Sequence, residues 1–332
     1  MGRHVSGDCP ELDRLLDEAC AEMGREIDSL CIPRLAGVVL GGGYGRGEGG
    51  VRECKVDGMS AAECRLSNDL DFFAITEDGV PEAETVASIG AALKPIAEKW
   101  KSKLGIDVDF AVKTPCRLKH DEERIMVQEL LRGHFDVAGQ RGEALFAHIE
   151  RRPAEAIPWS EAARLLTNRG FGLLLARVKL TGGKCRFADD REDFAARNLN
   201  KCILGAGDAR LVARHAYGWR ALERAETLGD GLYRAAVDWK FRPRAEAVCD
   251  WETARSEWLA ACEEVFAAGR REGALARSLR EGARWIVRRR TLGSPSSFGE
   301  NCVVRVLRQI ERAVRERLAP SASLMRDWEI FN

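Results

Sequence analysis

LGGGYGRGE (residues 40–48) and SNDLDFFAI (residues 67–75) decide how this chain is read. The first is a glycine-rich turn closing the apolar run LAGVVL (35–40). The second places Asp69 and Asp71 one residue apart inside another apolar run. An apolar run that ends in glycines predicts a buried strand entering a tight turn, and NDLDFFAIT (68–76) predicts a second strand. Side chains alternate along a strand, so Asp69 and Asp71 share one face while Leu70, Phe72 and Ala74 take the other. Two carboxylates roughly 7 Å apart on one face repel each other unless a cation sits between them. Mg²⁺, a hard ion that takes oxygen ligands, meets that need.

IDVDFAV (106–112), introduced by Gly105, predicts a third strand with Asp107 and Asp109 on one face. Placed beside the NDLDFF strand, it would gather three or four carboxylates. That is enough for two metal ions about 4 Å apart, the pair that activates an attacking oxygen and steadies a leaving one. Asp107 itself stands evenly between metal ligand and solvated neighbour. Gly42 and Gly43 let backbone amides approach a phosphate closely, and Arg46 would add a charge-assisted contact. The turn is neither GxxxxGK[ST] nor a GxGxxG that opens a helix with a ribose-binding acid. Phosphate on the turn and metal on the aspartates describe a nucleoside triphosphate attacked at its α-phosphorus, with pyrophosphate leaving.

Around these motifs, helices are expected at 9–30, with Asp8 as N-cap and Pro10 in the first turn, at 81–103, and at 121–131 with acidic residues in its first turn. Residues 49–67 read as a loop or insertion. Beyond about residue 150 the strand signals stop, and ERRPAEAIPWS (150–160) reads as a linker. Helices are then expected near 160–180, 192–226, 231–241, 250–270, 272–291 and 300–318. The expected fold is α+β: a small mixed sheet flanked by helices in residues 1–150, then an all-helical domain in 151–332.

Charge divides along the same line. Residues 1–150 hold 18 Lys and Arg against 28 Asp and Glu; the chain totals of 52 and 52 leave 34 and 24 for the remainder. Opposite balances of ten charges suggest two units with different electrostatic roles. Eleven scattered cysteines without a CxxC pair indicate reduced thiols and a cytoplasmic setting. No run approaches the ~20 apolar residues of a membrane span, and the acidic N-terminus lacks the pattern of a signal peptide.

Taken together, the glycine turn, the Asp-x-Asp strand and the later acidic strand resemble the nucleotidyltransferase superfamily related to DNA polymerase β. GGYGRGE (42–48) is especially similar to the opening motif of the uridylyltransferases that modify nitrogen-regulatory signalling proteins. The resemblance covers about residues 35–132. It implies that Gly42 and Gly43 hold triphosphate, that Asp69 and Asp71 ligate both of two Mg²⁺ ions, and that Asp109 is the third carboxylate and helps activate the acceptor hydroxyl. A nucleoside triphosphate, ATP first among them, would be the substrate, and a small hydroxylated molecule or a protein the acceptor. Two features depart from the pattern: the spacer between Gly43 and Asp69 is long, and no metal-dependent hydrolase domain follows.

The helical half resembles the partner domain with which such transferases close over nucleotide and acceptor. In RNLNKCILGAGDAR (197–210), Arg197, Lys201 and Asp208 fall within about three turns; Lys201 would reach the β- or γ-phosphate, or all three are solvated face residues. Thr167, Asn168 and Arg169 either face a cleft or cap and bend their helix. Arg288–Arg290 read as a positive helix end, and Trp219, Trp239, Trp251, Trp258 and Trp285 as core aromatics rather than base-stacking platforms. An RNA-binding, tailing enzyme built on the basic half is the alternative from another class. An idle nucleotide sensor is a third, against which the intact Asp69, Asp71 and Asp109 argue.

Overall fold

β1 (Leu35–Leu40) lies inside the sheet, pairing antiparallel with β4 (Asp69–Thr76) on one side and with β6 (Phe135–Gly139) on the other. β5 (Asp107–Lys113) extends the sheet as a parallel neighbour of β4, giving the order β5-β4-β1-β6. Parallel strands need a long crossover. α3 (Glu82–Leu104) supplies it and stops at Gly105, whose φ of 71° ends the helix in the left-handed region. The computed structural model describes residues 3–7, 9–55, 62–185, 187, 192–273, 276 and 303–331.

Alternation along the strands makes two cores. Val38, Leu40, Leu70, Phe72, Ala74 and Val108 pack with α1 (Pro10–Ser29) and α3, through Leu16, Met23, Leu93 and Trp100. Val39, Phe73 and Ile75 pack on the opposite face with α4 (Pro115–His120), α5 (Ile125–Arg132) and α6 (Gly142–Leu145). Asp69, Asp71 and Asp109 share the parity of this second face, at the end of the strands where the apolar packing stops.

Three local expectations are revised. Residues 49–67 are not a loop: Gly50–Lys55 (β2) and Ala62–Ser67 (β3) form a separate antiparallel hairpin. β6 is an additional strand. α5 begins at Ile125 rather than 121, because Asp121 is buried in ion pairs with Arg117 and Arg124, each at 3.0 Å. Asp8 lies outside the described residues, and Cys9 stands at the helix N-cap position.

The chain divides into two compact units, Met1–Arg152 with Phe241–Pro243, and Pro153–Lys240 with Arg244–Asn332. The second contains α7 (Trp159–Leu180), α8 (Phe194–Ala213), α9 (Ala221–Leu228), α10 (Gly231–Phe241), α11 (Trp251–Arg271), α12 (Val303–Arg315) and α13 (Ala322–Phe331). The helix expected over 192–226 is two helices, broken after Arg214, where His215 adopts a φ of 54°. The helix expected at 272–291 lies almost wholly outside the described residues, and α13 is an addition. Among the described residues no helix is long and apolar enough to cross a membrane.

Tryptophans tie these helices together. The indole N–H groups of Trp159, Trp251 and Trp258 donate to the backbone oxygens of Val265, Leu173 and Leu166, at 2.6, 2.9 and 3.0 Å. Each indole buries its ring and satisfies its one donor. Trp239 does the same toward Arg244 and Glu246.

Candidate active site

The glycine turn and the aspartate strand meet. Gly41 N–H donates to the Asp71 carbonyl at 2.8 Å, so the turn departs from β1 alongside the Asp71 backbone. Gly42 follows with a φ of 60°, and a Cβ at this position would collide with Asp71 Oδ2. Only glycine combines that backbone conformation with that approach. Residues Gly42–Gly45 then make one helical turn, α2, and the Gly43 carbonyl accepts from Arg46 N–H at 3.2 Å and Glu48 N–H at 2.8 Å.

Tyr44 locks this turn to the open end of the β2–β3 hairpin, at Gly50 and Ser67, a role that sequence reasoning missed. Its ring is buried and fills the space above Gly49, where any side chain would strike it. Its hydroxyl accepts from Ser67 N–H at 2.8 Å and lies 2.6 Å from the Ser67 carbonyl and 2.9 Å from that of Gly50. Burial pushes the hydroxyl's pKa far up, against the Ser67 backbone contact, and Asp69 adds to the rise. Tyr44→Phe leaves the Ser67 amide buried without its acceptor, which costs about 1–3 kcal/mol. The expected thermal-melt result is a midpoint lower by several degrees; an unchanged midpoint contradicts the locking role.

A strap of residues from the N-terminus braces the turn from outside. Gly49 N–H donates to the His4 carbonyl at 3.0 Å, and Ser6 N–H to the Gly49 carbonyl at 2.9 Å. The strap is held by Asp13, whose carboxylate accepts from Arg3, His4 and Val5 N–H at 2.8, 2.8 and 3.1 Å. Burial works to raise the Asp13 pKa, but these amides outweigh it and hold the group below its ordinary value.

The two acidic strands stand in register: Asp69 opposite Asp107 and Asp71 opposite Asp109. Parallel neighbours lie about 4.8 Å apart, so the carboxylates crowd one face. Asp109 records that crowding: burial first, then Asp69 and Asp107, raise its pKa, with Lys101 opposing. Lys101 pairs with Asp107 at 2.6 Å, which draws Asp107 toward the end of α3 and favours its reading as a neighbour rather than a ligand. Among the described residues, no three His, Cys, Asp or Glu side chains are already drawn together into a metal-holding group. The register supplies adjacent backbone positions for the carboxylates.

The raised pKa has a consequence for stability. Between the ordinary Asp value and its elevated folded value, the folded protein binds more protons at Asp109 than the unfolded chain does. Stability from this group is therefore full at low pH and is lost as pH rises through the folded pKa. In chelator, Asp109→Asn is expected to raise the melting midpoint at pH 7 and to leave it unchanged below about pH 3.9, the unfolded-state value. A variant less stable than wild type at pH 7 contradicts the crowding.

Of the remaining candidates, Arg46 stands in the turn in ion pairs. Its guanidinium pairs with Glu129 of α5 at 2.9 Å and lies 3.7 Å from the fully buried Glu48. It fastens the turn to α5, while its Nε is buried without a hydrogen-bond partner among the described residues. Lys201 lies half-buried on α8 and belongs to the second unit. Asp208 is half-buried there, accepting from the Tyr233 hydroxyl at 2.5 Å and paired with Arg224 at 2.8 Å. Thr167 is buried, its hydroxyl donating to the Ala163 carbonyl. Arg288–Arg290 and Trp285 lie outside the described residues.

Several arginines of the second unit stand in ion pairs among the described residues. Arg210 meets Glu257, Arg214 meets Glu264, Arg308 and Arg315 meet Glu311, and Arg317 meets Glu252. Comparison of the chain with protein-family models, with curated proteins and with solved structures found no match.

Proposed function

We propose that the protein is a metal-dependent nucleotidyltransferase that moves a nucleoside monophosphate from a triphosphate to a hydroxyl acceptor. The observation that carries this reading is the contact of Gly42 with Asp71 at the point where Asp71 stands in register with Asp109. An amide-rich turn for polyphosphate and a carboxylate face for cations thus share one edge. In this reading Asp69, Asp71 and Asp109 would hold two Mg²⁺ ions. When bound, the ions would supply Lewis-acid stabilisation of the phosphoryl oxygens. The amides of Gly42 and Gly43 orient the phosphate chain, and Asp109, the third carboxylate, helps activate the acceptor hydroxyl. The acceptor oxygen forms its bond to the α-phosphorus, the bond from that phosphorus to the β-bridging oxygen breaks, and pyrophosphate departs with the electron pair.

The test is binding: each of the four triphosphates is added with and without Mg²⁺, and the melting midpoint is followed. Ligand at about 100 times its Kd stabilises by about 2.7 kcal/mol, a rise of several degrees. At least one triphosphate is expected to give this rise only with Mg²⁺; no metal-dependent rise with any of the four refutes the proposal.

A further inference from the structure

Asn68, the residue before Asp69, carries two costs at once. Its φ is 73°, in the left-handed region, and its side-chain Oδ1 is buried with no hydrogen-bond partner among the described residues. The first cost is the smaller, since asparagine tolerates this conformation better than most residues that have a side chain. It also serves the fold: at Asn68 the chain leaves β3, a strand of the hairpin, and enters β4, a strand of the main sheet. The second cost has no such account. A turn of this hand needs no carboxamide, because glycine makes it without an acceptor to bury. A buried carbonyl oxygen without a donor destabilises the fold that holds it. Such an atom calls for a water, an ion or a catalytic role.

The segment that carries Asn68 is tied down on both sides. Before it, the Ser67 N–H donates to the Tyr44 hydroxyl at 2.8 Å, and that hydroxyl lies 2.6 Å from the Ser67 carbonyl. After it, the Asp71 carbonyl accepts from Gly41 N–H at 2.8 Å. Both anchors belong to the glycine turn, so Asn68 and Asp69 are held in the short span between them. A backbone fixed in this way is set before any ligand arrives.

The neighbouring carboxylates leave a use for a neutral oxygen. A hard divalent ion such as Mg²⁺ takes about six oxygen ligands, several of them waters. Asp69, Asp71 and Asp109 would bring charge to it, and they already repel: Asp69 and Asp107 add to the rise in the Asp109 pKa that burial begins. A further carboxylate would deepen that repulsion, whereas a carboxamide oxygen serves the ion without adding to it. The class of partner follows from the atom. Oδ1 only accepts, so it meets a cation or a proton donor, and a hydrated ion at Asp69 offers both.

Building on the nucleotidyltransferase reading, we propose that Asn68 supplies a neutral oxygen to the shell of the divalent cation at Asp69, its Oδ1 taking up the ion or one of the ion's waters.

The experiment titrates Mn²⁺ into wild type, Asn68→Gly and Asn68→Asp, with and without a non-hydrolysable triphosphate, and reads free Mn²⁺ by electron paramagnetic resonance. Melting midpoints of the metal-free proteins are measured in chelator. Asn68→Gly keeps the left-handed turn and removes the stranded oxygen. It is expected to melt at or above the wild-type midpoint, yet to bind Mn²⁺ about tenfold or more weakly, the effect of losing a partner in the shell around a metal. Asn68→Asp keeps an oxygen in place and adds a carboxylate to the acidic face. It is expected to melt below wild type and to bind Mn²⁺ at least as tightly. A merely structural asparagine would move midpoint and affinity together; here they move in opposite directions. A smaller loss of Mn²⁺ affinity in Asn68→Gly, with the midpoint held, overturns the proposal and leaves an ordered water as the partner of Oδ1. If Asn68→Gly melts lower, Asn68→Asp decides: weaker Mn²⁺ binding overturns the proposal, and retained binding upholds it. These outcomes touch Asn68 alone, whereas a wild type that binds no Mn²⁺ in either condition refutes the nucleotidyltransferase reading and the proposal with it.

Discussion

Asp71→Asn is expected to lower nucleotidyl transfer, read as pyrophosphate release, by about a thousandfold or more without unfolding the protein. Asp71 is the carboxylate that touches both halves of the proposed site: it stands in register with Asp109, and its Oδ2 lies against Gly42. An amide of the same shape keeps that packing but removes one negative charge from between the expected cations. Metal ions contribute several kcal/mol to such transition states, and about 4 kcal/mol corresponds to a thousandfold in rate. In chelator the same change relieves repulsion on an acidic face, so the melting midpoint is expected to hold or rise. Transfer above a tenth of the wild-type rate contradicts the assignment. Loss of transfer accompanied by a lower midpoint contradicts the claim that the carboxylates oppose the metal-free fold.

The second large effect is expected at Gly42, where two costs coincide. A φ of 60° costs an L-residue about 1–2 kcal/mol, and the added methyl of Gly42→Ala must displace the Asp71 carboxylate. Gly79 provides a control, because it has a φ of 70° but nothing within contact distance of an added Cβ. Both variants are expected to lose about 1–2 kcal/mol from backbone strain, a few degrees in midpoint. Only Gly42→Ala is expected also to lose metal-dependent triphosphate binding, by more than about tenfold, since only it moves a carboxylate. Equal triphosphate affinity in the two variants contradicts the contact between turn and strand.

The parts of this site that were legible in the sequence are those set by local pattern. LAGVVL, NDLDFFAIT and IDVDFAV announced β1, β4 and β5 to within a residue, because apolar runs with alternating aspartates have no other good conformation. That β5 lies beside β4, with Asp109 level with Asp71, depends on a crossover through α3 and is invisible to spacing alone. β2 and β3 were hidden because so few apolar residues mark the inner face, Val51 on one strand and Cys64 and Leu66 on the other. The pairing of Arg46 with Glu129 was not legible because its partner comes from α5, more than eighty residues on. Tyr44 gave no signal at all, since its value comes from two carbonyls and an amide at Gly50 and Ser67. In the helical unit, 3.6-residue periodicity found α7, α10 and α11, but the break at His215 has no proline or glycine at its centre to announce it.

The central claim is that the acidic face of β4 and β5 gathers divalent cations opposite the Gly42–Gly43 amides. Its most direct test is anomalous scattering from a crystal grown with Mn²⁺ and a non-hydrolysable nucleoside triphosphate. The account predicts manganese peaks within coordination distance of Asp69, Asp71 and Asp109, with phosphate oxygens on the amides of Gly42 and Gly43. Manganese bound elsewhere, or a triphosphate seated away from the glycine turn, would contradict it.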